Sequence, residues 1–138
     1  MAKIKFDFDH MKFMALFEQI TRTSVKDCII DENKITFIIK GDNVGKAVGK
    51  NGSNVKLLEN KLGKKIRIIK FDDDCAQFTQ NLIYPLRNVI VEKEDNNIII
   101  TGPDTKTKAL LIGRNSQNLR KIEAILKRHF TINGVMIK

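Results

Sequence analysis

Two short stretches of this chain combine residue types that can hold an anion. The first is Gly49-Lys50-Asn51-Gly52, with Lys46 ahead of it and Ser53, Asn54 and Lys56 behind. Glycine has no Cβ, so the backbone there can approach a phosphate closely and take positive φ. The N–H groups that open a following helix also favour an anion. Lys50 supplies a mobile positive charge, and Asn51 supplies a donor and an acceptor. The second stretch is Gly113-Arg114-Asn115-Ser116, followed by Gln117, Asn118, Leu119 and Arg120. Glycine, basic residue, asparagine, second asparagine, aliphatic and basic residue recur in the same order in both. The candidate contacts are Lys46, Gly49, Lys50, Asn51, Gly52, Ser53, Asn54 and Lys56 in one stretch. In the other they are Gly113, Arg114, Asn115, Ser116, Gln117, Asn118 and Arg120.

Simpler readings fit less well. Asn-Gly often makes a hairpin turn, but the flanks of Asn51-Gly52 do not alternate as strands do. A nucleotide-binding phosphate loop needs G-x-x-x-x-G-K-[ST]. Here Gly45 and Gly49 lie one residue too close, and Asn51 follows Lys50 where Ser or Thr would be required. Charge points towards a polyanion. The chain of 138 residues carries a net charge of +9. Residues 46–70 hold eight basic residues against Glu59 alone, and residues 106–128 hold seven against Glu123 alone. The remainder is net acidic. A surplus kept for solubility would be spread out, whereas this one gathers around the two stretches, as a nucleic-acid footprint does.

The elements that position these stretches follow from periodicity and punctuation. Phe13, Met14, Leu16, Phe17 and Ile20 recur at helical spacing and predict a core-facing helix from His10 to Arg22, capped by Asp7 or Asp9. Strands are predicted over Val25–Asp31 and Lys34–Lys40, with a turn at Asp31-Glu32-Asn33. Before them, residues 3–9 alternate loosely. Val44–Val48 reads as a short helix before the first loop and Ser53–Leu62 as a longer one after it. Val55, Leu58 and Leu62 share a face of the longer helix, and Gly63 ends it. A strand follows at Lys65–Phe71. Asp72-Asp73-Asp74 reads as a linker rather than a divalent-ion site, with Asp74 and Gln77 forming a capping box for the next helix.

The order then repeats. A helix runs from Cys75 to Tyr84 with Phe78, Leu82 and Ile83 inward, stopped by Pro85. Strands are predicted at Asn88–Glu92 and Asn97–Thr101, around a turn at Lys93–Asn96. Gly102-Pro103-Asp104 opens a helix ending near Ile112. After the second loop, the helix Gln117–Phe130 buries Leu119, Ile122, Ile125 and Leu126, and a last strand spans Val135–Ile137. The predicted fold is α+β. It has two units of α-β-β-α-α-β, at residues 1–72 and 73–138, each with a three-stranded sheet packed against helices and one loop, at 49–52 or 113–116. A repeat of this length and order is not a chance pattern.

A Gly-x-x-Gly loop between two helices is the arrangement of a KH domain, which clamps the backbone of about four nucleotides. Nearly the whole chain resembles the short archaeal form of the transcription factor NusA, a tandem of two type II KH domains. The resemblance is carried by Val25-Lys26-Asp27-Cys28-Ile29-Ile30-Asp31, by Lys46-Ala47-Val48-Gly49-Lys50-Asn51-Gly52 and by Lys127-Arg128-His129-Phe130. It implies single-stranded RNA binding and a role in transcription termination or antitermination, with RNA polymerase or other transcription factors as further partners. Bacterial relatives also carry an N-terminal polymerase-binding domain and an oligonucleotide-binding barrel, and this sequence contains neither. Ser116 stands where the pattern has its second glycine. Its Cβ is expected to restrict positive φ and crowd the backbone, so the second loop is expected to grip RNA less tightly, or to grip it with the Ser116 hydroxyl as an added donor, and the first loop to dominate affinity. Base-facing groove walls are expected from Ala47, Val48, Val55 and Ile66, and from Leu111, Ile112 and Leu119.

Other classes are less favoured. Ribosomal RNA binding in ribosome assembly, or a protein-interaction module on the same fold, are the alternatives. No carboxylate pair or nucleophile–base pair stands at a usable spacing, so an enzyme is not expected. Cys28 and Cys75 read as buried thiols of a reducing compartment. With His10 and His129 they complete no metal-ligand spacing, so neither metal nor cofactor is expected. No apolar run is long enough to span a membrane, and Met1-Ala2-Lys3-Ile4-Lys5 lacks a signal-peptide centre. A cytoplasmic monomer with no membrane partner is expected.

Overall fold

The computed structural model describes residues 7–138, so most of the alternation read over residues 3–9 lies outside them. The chain divides between Phe71 and Asp72 into two compact units. In the first, α1 (Phe8–Thr21) precedes strands β1 (Val25–Ile30) and β2 (Lys34–Ile39), helices α2 (Val44–Val48) and α3 (Ser53–Leu62), and strand β3 (Lys65–Lys70). β2 is the central strand, antiparallel to β1 and parallel to β3. A parallel pair needs a crossover. That crossover is the α2–α3 pair, so the first loop is built into the connection that closes the sheet.

Local chemistry sets the ends. The Asp7 carboxylate accepts from the His10 N–H at 2.9 Å and opens α1. Hydrogen bonds from His10, chiefly its backbone N–H, hold that carboxyl below its usual value. Arg22 turns left-handed at φ 56°, so α1 stops at Thr21, one residue before the predicted end. Phe17, Cys28, Ile35, Phe37, Ile39, Ala47 and Leu58 form the buried core, and Phe13, Met14, Leu16 and Ile20 pack against it. Phe17 and Phe37 stack with centroids 4.3 Å apart. Burying a side chain of this kind stabilises by about 1.5–3 kcal/mol.

The second unit has the same order: α4 (Cys75–Ile83), β4 (Ile90–Glu94), β5 (Asn97–Thr101), α5 (Thr105–Ile112), α6 (Gln117–His129) and β6 (Gly134–Ile137). β5 is central, antiparallel to β4 and parallel to β6. Phe78, Leu82, Ile98, Ile100, Leu111 and Leu126 are buried, and Phe78 meets His129 edge-on.

Four expectations need correction. β4 begins at Ile90, not Asn88, because Asn88 takes φ 60°. It continues to Glu94, because the turn is only Asp95-Asn96, both with positive φ. Asp74 does cap α4, accepting from the Ala76 N–H, but Gln77 does not close a capping box: its Nε2 donates to Asn81 Oδ1. On α6, Leu126 and His129 are buried, whereas Leu119, Ile122 and Ile125 are half-buried.

Candidate nucleic-acid interface

Each unit carries one copy of the same loop. α2 stops where Gly49 takes φ 82°, ψ 166°, a region essentially closed to residues with a Cβ. Asn51 (φ 56°, ψ 29°) and Gly52 (φ 72°, ψ 21°) are both left-handed, and Ser53 (φ −59°, ψ −41°) begins α3. The second loop follows nearly the same path: Gly113 at 73°, 175°, Asn115 at 55°, 33°, Ser116 at 60°, 23° and Gln117 at −64°, −43°. Asparagine tolerates the left-handed region better than most residues, which gives Asn51 and Asn115 a backbone role. Ser116 adopts the conformation of Gly52 despite its Cβ. A Cβ built on Gly52 meets nothing within 4 Å, so the expected crowding at Ser116 does not arise from the loop itself.

The turn is closed by hydrogen bonds. The Gly52 N–H donates to the Gly49 carbonyl at 3.1 Å, and the Ser116 N–H to the Gly113 carbonyl at 3.2 Å. Gly49 and Ser53 also spend their amides inside the turn, on the carbonyls of Gly45 and Lys50. The Lys50 and Asn51 amides are the candidate backbone donors for an anion, with Arg114 and Asn115 equivalent in the second loop.

The second asparagine of each repeat turns back onto the preceding helix, although Asn118 stays exposed. Asn54 Nδ2 donates to the Lys46 carbonyl at 3.1 Å, and Asn118 Nδ2 to the Leu110 carbonyl at 2.9 Å. Both bonds reach back eight residues, across the loop, to the preceding helix. A Cβ on Gly49 would lie 2.7 Å from Ser53 Oγ and 3.0 Å from Asn54 Cγ, and one on Gly113 would lie 2.7 Å from Asn118 Cγ. The amide therefore packs against the first glycine. Sequence reasoning missed the carbonyls of Lys46 and Leu110 as anchors.

Lys46, Lys50, Asn51, Ser53 and Lys56 are exposed in the first unit, as are Arg114, Asn115, Gln117 and Arg120 in the second. Leu110 is 51% exposed and occupies the position equivalent to Lys46. Other members of the basic clusters are committed elsewhere. Lys70 pairs with Asp42, Lys64 Nζ donates to the Asp31 carbonyl at 2.9 Å, and Lys127 pairs with Glu123 at 3.1 Å. The expected groove walls are corrected in part: Ala47 and Leu111 are buried in the cores, whereas Val48, Val55, Ile66, Ile112 and Leu119 are half-buried.

Cys28 and Cys75 are buried free thiols, and burial pushes the Cys75 thiol up, away from the reactive thiolate. Asp72 Oδ1 accepts from the Asp74 N–H, giving the acidic run a turn-and-cap role. Among the described residues no cluster of three or more His, Cys, Asp or Glu could hold a metal ion, and no helix is long and apolar enough to cross a membrane.

Comparison with known proteins agrees with this architecture. The family description "KH domain" matches residues 14–72. The probable transcription termination protein NusA of Methanocaldococcus jannaschii is 31% identical over 140 residues, covering 99% of this chain and 76% of that protein. Its counterpart in Methanococcus vannielii is 30% identical over 138 residues, covering 98% and 80%. The crystal structure of APE1850 superposes with a TM-score of 0.74 at 24% identity, covering 96% of this chain and all of that one. The chain belongs to the archaeal NusA-like family of KH proteins.

Proposed function

We propose that this protein is a single-stranded RNA-binding factor of transcription termination or antitermination, and that both units are type II KH domains, at residues 1–72 and 73–138. The carrying observation is the near-identity of the two loop backbones, each presenting exposed basic side chains on a glycine turn. The loops hold phosphates, which gives affinity and register rather than sequence reading. The relatives' names support the transcriptional context. RNA polymerase or another transcription factor is the second partner this reading requires, and the factor acts as a cytoplasmic monomer.

The test is fluorescence anisotropy with single-stranded RNA, single-stranded DNA and duplex RNA over a salt series. Single-stranded RNA should bind tightest, with a log–log salt slope of about −0.7 per phosphate neutralised. The double change Lys50→Asp, Asn51→Asp should abolish most of that binding. Equal affinity for duplex RNA, or no effect of the loop change, would overturn the reading.

A further inference from the structure

We infer that Asn54 and Asn118 are positioning residues: each holds its loop in the RNA-gripping shape by tying the helix after the loop to a carbonyl before it. The inference rests on the RNA-binding reading for its functional consequence and on geometry for the brace. Two residues of each loop, Asn51 with Gly52 and Asn115 with Ser116, sit consecutively at positive φ. Such a path is held only when its surroundings over-determine it. The turn's own hydrogen bonds, such as that from Gly52 to Gly49, span three residues. The asparagine bond spans eight and brackets the whole turn. The amide also lies against the first glycine: a Cβ there would come 3.0 Å from Asn54 Cγ in the first loop and 2.7 Å from Asn118 Cγ in the second. Glycine at 49 and 113 and asparagine at 54 and 118 are therefore parts of one device. It appears twice with the same partners, although the loops differ at Lys46/Leu110, Lys50/Arg114 and Gly52/Ser116.

The bond has a second effect. α2 ends at the loop, and the last carbonyls of a helix carry the negative end of its dipole. Donation from Asn54 covers one of these, the Lys46 carbonyl, beside the place an RNA phosphate would occupy.

The test is Asn54→Leu, which keeps the approximate shape and adds no charge but removes the donor. Backbone order parameters of Lys50–Gly52 are measured by NMR relaxation in the free protein, and RNA affinity by anisotropy. The brace predicts that these order parameters fall from about 0.85, typical of rigid backbone, to below about 0.6. Amides of β1–β3 should be unchanged, and RNA affinity should fall about tenfold. Unchanged loop order with weaker binding would make Asn54 a direct RNA contact and overturn the inference. So would a mobile loop with unchanged affinity. Asn118→Leu, read at Arg114–Ser116, supplies the same test in the second unit if Asn54→Leu fails to fold. Wild-type protein that binds no RNA would overturn the functional reading instead. The order parameters then still decide the brace.

Discussion

Gly49 and Gly52 belong to one loop and are glycine for different reasons. Gly49 sits at φ 82°, ψ 166°, with Ser53 and Asn54 where a Cβ would go. Gly52 is merely left-handed, with open space around its Cα hydrogens, and the equivalent position already holds Ser116. Left-handed backbone costs a residue with a Cβ roughly 1–2 kcal/mol, while strain combined with overpacking costs more. Gly52→Ser should therefore lower unfolding stability by about 1 kcal/mol and leave RNA binding within a few-fold of wild type. Gly49→Ala should cost about 2–4 kcal/mol and most of the RNA affinity. Urea unfolding and anisotropy on the two variants check this. The first loop has Lys46, Lys50 and Lys56 around it, and the second has Arg114 and Arg120 with Leu110 in place of the first lysine. Lys50→Asp should weaken RNA binding more than Arg114→Asp, and equal losses would refute that ranking.

At the scale of elements, each long helix is fastened to the strand that follows it by one glutamate. Glu59 Oε2 accepts from the Ile66 N–H at 3.2 Å, and Glu123 Oε2 from the Val135 N–H at 3.1 Å. The bond from the Val135 N–H chiefly holds the Glu123 carboxyl below its usual value; burial opposes it, and Lys127 adds a smaller lowering. Because the folded-state value is lowered, folding favours the ionised form. The stabilisation is full above the ordinary glutamate value and is lost as pH falls through the lowered one. Glu123→Gln should cost about 1 kcal/mol at neutral pH. That difference should shrink as the pH is taken below about 4.3, as measured by urea unfolding across pH.

The same scale shows what the sequence makes legible. α2 and α3 were readable to the residue because Gly49 and Gly63 end them and Leu58 marks the buried face. β4 was not. It is an exposed strand reading Ile-Val-Glu-Lys-Glu, so its charges look like a turn, and the left-handed Asn88 looks like strand. The bulge in β1, where Lys26 is the extra residue between Val25 and Asp27, left no periodic trace. It places the fully buried Asp27 beside Cys28, whose N–H its carboxylate accepts at 2.7 Å. For the candidate site, the glycines and basic residues were visible as types. The bonds of Asn54 and Asn118 to backbone carbonyls were not, because an amide that braces a backbone and one that contacts a ligand look alike in sequence.

At the scale of the molecule, two similar loops on one chain make binding a question of linked sites. A KH glycine loop clamps the backbone of about four nucleotides. An RNA of that length should bind weakly, and one long enough to reach both loops should bind on the order of 10²-fold tighter or more, through effective concentration. Titration of RNAs of increasing length should show that step, and its loss in Arg114→Asp would place the second contact at the second loop. The most direct test of the central claim is an NMR titration of the wild-type protein with single-stranded RNA, following backbone amides. The account predicts that the largest shifts fall on Lys50–Ser53 and Arg114–Gln117. Shifts that avoid both loops would contradict it, even if the RNA binds.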